Sequence, residues 1–69
     1  MALTITDTEI TSDEVGETGR QEDGLWYVTG HPGRAFDRNQ AITAMTLAEE
    51  RSRPTPQPGL IADLEAELS

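Results

Sequence analysis

The chain has no cysteine and no lysine, and only one histidine, one tryptophan, one tyrosine and one phenylalanine among its 69 residues. Each shortage removes a class of structure or chemistry. Without cysteine there is no disulfide. A lone histidine cannot supply the nitrogen and sulfur ligands of a structural zinc site. That histidine, His31, has no serine close to it in sequence with which to form a nucleophile–base pair. The acids between Asp7 and Glu17 lack the ligand spacing of a calcium loop. No metal or cofactor is therefore expected. No apolar run approaches the length of a membrane-spanning helix. The first residues do not join a basic stretch to an apolar one as a secretory signal does, so a cytoplasmic protein is expected.

Basic residues are also scarce. Thirteen acids against five arginines leave a net charge of −8. Residues 1–23 carry −6, residues 24–53 carry +1 and residues 54–69 carry −3. Acidic flanks around a near-neutral centre oppose binding to nucleic acid, which depends on neutralising phosphates, and to anionic membranes. They favour a basic face on another protein. A chain of this size buries only about 60% of the surface it exposes when unfolded, and such small cores are commonly completed by self-association or by a partner.

The best-patterned stretch begins at Leu25. In Leu25-Trp-Tyr-Val-Thr29, alternation puts Trp26 and Val28 on one face of a strand and Leu25, Tyr27 and Thr29 on the other. Trp26 and Val28 are the expected core face, with Tyr27 lying on the surface. Pro32-Gly33 is a turn signal with positive φ expected at the glycine, so the chain should reverse and run Arg34–Phe36 beside the first strand. Asp37 then reads as a helix N-cap, and Gln40 can close a capping box. A helix over 38–51 would turn Ala41, Ile42, Ala44, Met45 and Ala48 toward the hairpin, with Leu47 at the margin.

On either side of this core the pattern weakens. Residues 1–23 read as an acidic flexible arm, with a short strand over 3–10 as the alternative. Residues 54–59 form a proline-rich linker that cannot continue a helix. Residues 60–69 resume helical spacing, with Leu60, Ile61, Leu64 and Leu68 as an apolar stripe. Nine residues make no stable helix alone in water, so the stripe must dock on this chain, a second copy or another protein. The fold expected is α+β: a β-hairpin at 24–36 packed on one main helix, and a short C-terminal helix at 60–68.

Trp26-x-Val28, Pro32-Gly33-Arg34 and the helix wording Arg38-Asn-Gln-Ala-Ile-Thr-Ala-Met-Thr-Leu-Ala-Glu49 together resemble a group of small actinobacterial and actinophage-type proteins. These share a Trp-bearing strand, a Pro-Gly turn and an Arg-Asn-x-Ala-Ile-Thr-Ala-Met helix. The resemblance covers about a third of the chain. His31 departs from the group's apolar residue before the proline. The resemblance carries no activity with it. It implies a high-GC Gram-positive source, in keeping with the arginine-only usage, and a phage or mobile-element origin.

The functional reading is a non-enzymatic protein that binds and regulates a protein partner, or that pairs with a second copy as a homodimer. Leu60, Ile61, Leu64 and Leu68 are the first candidate contact residues, as a helix laid into a groove. Tyr27, Arg34 and Arg38 are the second. Arg34 and Arg38 also flank the helix start, where free amides attract anions, although Asp37 competes for those amides. The acid pairs Asp13-Glu14, Glu22-Asp23 and Glu49-Glu50 read as solvated faces, and His31 as a solvated turn residue. The competing class is a small DNA-binding regulator that uses Arg34, Arg38, Arg51 and Arg53 on phosphates. The net charge opposes it, and no preceding helix completes a helix-turn-helix.

Overall fold

A computed structural model describes residues 3–68. Residues 1 and 2 of the expected arm and residue 69 of the expected C-terminal segment lie outside the described residues. The chain is an α+β fold with four strands followed by two helices: β1 (Leu3–Ile5), β2 (Glu9–Ser12), β3 (Thr18–Glu22), β4 (Leu25–Val28), α1 (Arg38–Ser52) and α2 (Pro58–Leu68). The strands form one antiparallel meander in the order β1-β2-β3-β4.

Three of the four strands come from the stretch read as an acidic arm. The turns explain how so polar a segment becomes a sheet. Between β1 and β2, the Thr6 hydroxyl accepts the Glu9 N–H at 3.0 Å while the Thr6 N–H donates to the Glu9 carbonyl at 2.8 Å. This local turn resets the side-chain parity, so Ile10 faces Ile5 across the ladder instead of breaking the pattern. Between β3 and β4, Asp23 and Gly24 take φ values of 53° and 81°. Left-handed backbone at both central positions is the two-residue turn whose twist suits a hairpin, and Asp-Gly is among the pairs that adopt it readily.

The register divides the sheet into two faces. Leu3, Ile5, Ile10, Gly19, Trp26 and Val28 share the inner one, and Thr4, Glu9, Thr11, Thr18, Arg20, Leu25 and Tyr27 the outer one. Gly19 lies between Ile10 and Val28, and a Cβ at that position would stand 3.5 Å from the Ile10 Cβ. That is ordinary van der Waals contact, so Ile10 and Val28 bury the position between them.

The expected hairpin at 24–36 is corrected. The antiparallel partner of Leu25–Val28 is Thr18–Glu22, and Arg34–Phe36 contributes only one bridge, Trp26 to Phe36. That bridge has both backbone bonds, 2.9 Å from Trp26 N–H and 2.8 Å from Phe36 N–H. The turn before it closes through the Arg34 N–H on the His31 carbonyl at 3.3 Å, with Gly33 at φ 79°. The chain then enters α1 too soon for a second strand to form.

Asp37 caps α1. Its carboxylate accepts the Gln40 N–H at 2.7 Å, and the Gln40 side chain accepts the Asp37 N–H at 3.2 Å. The helix runs one residue past the expected end, to Ser52. It packs against β2, β3 and β4 on one side and α2 on another. Ala41, Ala44 and Met45 are buried with Trp26, Val28, Ile10 and Phe36 in one core. Leu47, placed at the margin of the face from sequence, is also buried because α2 covers it.

The α1–α2 link is shorter than the linker expected over 54–59, since α2 begins at Pro58. Proline suits the first helical turn, where its missing N–H has no helical partner. The link is held from below by Glu50. Its carboxylate accepts the Arg53 guanidinium at 2.8 Å and the Gln57 N–H at 3.0 Å.

Candidate functional site

The apolar stripe of α2 is largely used within the chain. Leu68 is 4% exposed and belongs to the core, and Ile61 and Leu64 are partly buried against that core. Leu60, at 39%, is the one member left exposed. Three polar contacts fasten the same helix: Arg34 Nη2 donates to the Leu68 carbonyl, Arg51 pairs with Glu65, and the Thr43 hydroxyl reaches Glu67 at 3.4 Å.

The arginines are dispersed. Arg34 leaves the start of α1 to stack over Phe36, its guanidinium carbon 4.8 Å from the ring centroid, while donating to Leu68. Arg51 lies on Glu65, and Arg53 lies on Glu50 with Glu14 at 3.9 Å. Arg38 is exposed at the first position of α1. The four therefore form no common phosphate-facing row. Three of them make contacts to acceptors of the same chain.

Two expectations about polar residues are corrected here. Glu49 and Glu50 are buried rather than solvated, because the end of α1 lies under the loop after β2 and the link to α2. The Ser12 hydroxyl donates to Glu49 Oε2 at 2.6 Å and accepts the amides of Glu14 at 3.0 Å and Val15 at 3.3 Å. Asp13, Glu14 and Glu49 carboxylates come within 4.8 Å of one another, with Arg53 beside them. The Ser12–Glu49 hydrogen bond ties the sheet to the C-terminal end of α1. His31 is half-buried, its ring edge-on to Phe36 at 5.4 Å and 89°.

The outer face of the sheet is the surface that sequence reasoning found only in part. Leu25 is 45% and Tyr27 38% exposed, and Arg20 stands opposite Tyr27 across the β3–β4 ladder. Thr18, Arg20, Tyr27, Val28 and Thr29 line a shallow hollow of about 330 Å³. The Thr18 N–H donates to the Thr29 hydroxyl at 3.0 Å, which holds the open end of the two strands together. Exposed acids stand at both ends of the strands: Asp7, Glu9, Glu22 and Asp23 at the end away from the hollow, and Asp13 and Glu14 in the loop between β2 and β3. Tyr27 was evident from alternation. Arg20 and Thr18 were not, because their place beside it depends on a strand pairing. The Asp23-Gly24 signal between two short extended runs could have exposed that pairing.

No helix among the described residues is long and apolar enough to cross a membrane. Comparison with protein-family models, curated proteins and solved structures returns no significant match to this chain.

Proposed function

We propose that this is a non-enzymatic protein of the cytoplasm that regulates a protein partner by docking on it through the outer face of the sheet. The observation that carries the reading is the pair Leu25 and Tyr27, exposed side by side with the Arg20–Thr18 hollow on a sheet whose other face is covered over Ile10, Trp26 and Val28, with Ile5 at its edge left 39% exposed. An apolar centre with a polar margin is the composition of a protein interface. Tyrosine supplies large contact area at little entropic cost, and a shallow hollow admits protruding partner side chains. Exposed acids at both ends of the strands, on a chain of net charge −8, give the surface a sign. The partner it fits presents a basic surface with an apolar protrusion. The resemblance of the 26–49 segment to actinophage-type proteins supports a phage or mobile-element origin and a host protein as that partner.

The test is capture from an actinobacterial lysate with the full chain, repeated with Leu25→Ser/Tyr27→Ser and with Leu60→Asp. The reading expects one protein that is lost from the double variant, retained by Leu60→Asp and weakened by salt. Retention by the double variant and loss from Leu60→Asp would move the contact to α2. Capture of nucleic acid, abolished by Arg38→Ala, would replace the reading with a DNA-binding one.

A further inference from the structure

A second feature lies on the other side of the molecule and is independent of the docking face. The chain has six side chains that can carry positive charge, five arginines and His31, and three of them line one hollow. His31, Arg34 and Arg51 form its rim with Glu65, and the buried side chains of Leu47 and Leu68 form its floor. Its volume is about 190 Å³. That is below the roughly 300–1,000 Å³ of sites that take drug-sized ligands, which points to a small ligand.

The rim is ordered by Phe36. The face of its ring carries the Arg34 guanidinium at 4.8 Å, and the His31 ring meets it edge-on at 5.4 Å. Arg34 is further fixed by donating to the Leu68 carbonyl. A guanidinium held in this way loses little freedom when a ligand arrives. Arg51, which lines the same hollow, already holds a carboxylate, that of Glu65, in a pair whose two side chains are each 51% exposed. An exposed pair of this kind is weakly held and exchanges readily. Beside it is a second hollow of about 120 Å³ that shares His31, Leu47 and Arg51 and continues over Ala44 and Ala48. The second hollow is mixed in character, with Glu17, His31 and Arg51 around Ala44, Leu47 and Ala48.

We infer that the His31–Arg34–Arg51 hollow binds a small aliphatic carboxylate, its head between the two guanidinium groups in place of Glu65 and its tail over Leu47 and Ala48. The acids facing the two hollows, Glu65 and Glu17, set the charge of the ligand. They repel a second negative charge, so a monoanion binds better than phosphate.

Titration of the full chain with butyrate at constant ionic strength tests this, read from the His31 ring and arginine Nε–H signals by NMR. Saturable shifts are expected at His31, Arg34 and Arg51, with inorganic phosphate binding more weakly. Glu65→Gln removes the competing carboxylate from an exposed position and should tighten butyrate about two- to fivefold. Arg51→Gln should weaken it about tenfold. Shifts that rise linearly and match those from chloride would overturn the inference. So would phosphate binding tighter than butyrate, or a Glu65→Gln variant with unchanged affinity.

Discussion

Two apolar surfaces of this protein look alike in sequence and behave differently in the fold. The stripe Leu60, Ile61, Leu64, Leu68 is the more strongly patterned, and α1 covers most of it. The outer residues of β4, Leu25 and Tyr27, make a weaker pattern, and nothing in the chain covers them. Periodicity states that a face exists and is silent on what meets it. The answer depends on length and tethering. An eleven-residue helix on a link clamped by Glu50 reaches α1 at once, and a helix that short gains its stability only by packing. A strand is already stabilised by its ladder and by the face it turns inward, so its other face can stay open.

Substitutions sharpen this contrast in order of expected effect. Phe36→Ala removes a buried ring that meets Arg34 and His31 and shares the core with Trp26, and should cost about 3–5 kcal/mol, enough to unfold a chain this small. Circular dichroism and urea titration would show it. Leu68→Ala should cost about 2 kcal/mol, the low end for a buried leucine because the residue ends its helix. A midpoint shift with an unchanged urea slope would mark the loss as one of packing. Glu50→Ala should cost about 1–3 kcal/mol, by leaving the Gln57 amide and the Arg53 guanidinium without that acceptor. Amide exchange in α2 should rise more than exchange in β3. Leu25→Ser, on the open face, should change stability by less than about 0.5 kcal/mol while weakening the proposed docking contact. Equal losses from Leu25→Ser and Leu68→Ala would erase the difference between the two surfaces.

What was legible in the sequence was what short-range physics determines. Asp37 and Gln40 mark the start of α1 because a capping box spans four residues. Trp26 and Val28 declare their face because alternation is local. The strand Thr18-Gly-Arg-Gln-Glu22 was not legible, since it contains no apolar residue and its buried position is filled by Gly19. Its conformation is imposed by two neighbours, β2 and β4, and that information is long-range. The same holds for the proposed docking face. Tyr27 is visible alone, while Arg20 becomes its neighbour only through the register. The buried Glu49 and Glu50 were missed for the complementary reason, because polar residues at a helix end read as solvated until the loop that covers them is placed.

Hydroxyl-radical footprinting of the full chain over a dilution series, with side-chain labelling rates resolved by mass spectrometry, tests most directly that one apolar surface is closed and the other open. The account predicts rapid labelling of Leu25 and Tyr27 and strong protection of Leu68 at every concentration. Labelling of Leu68 as fast as Leu25, or protection of Leu68 that disappears on dilution, would contradict it.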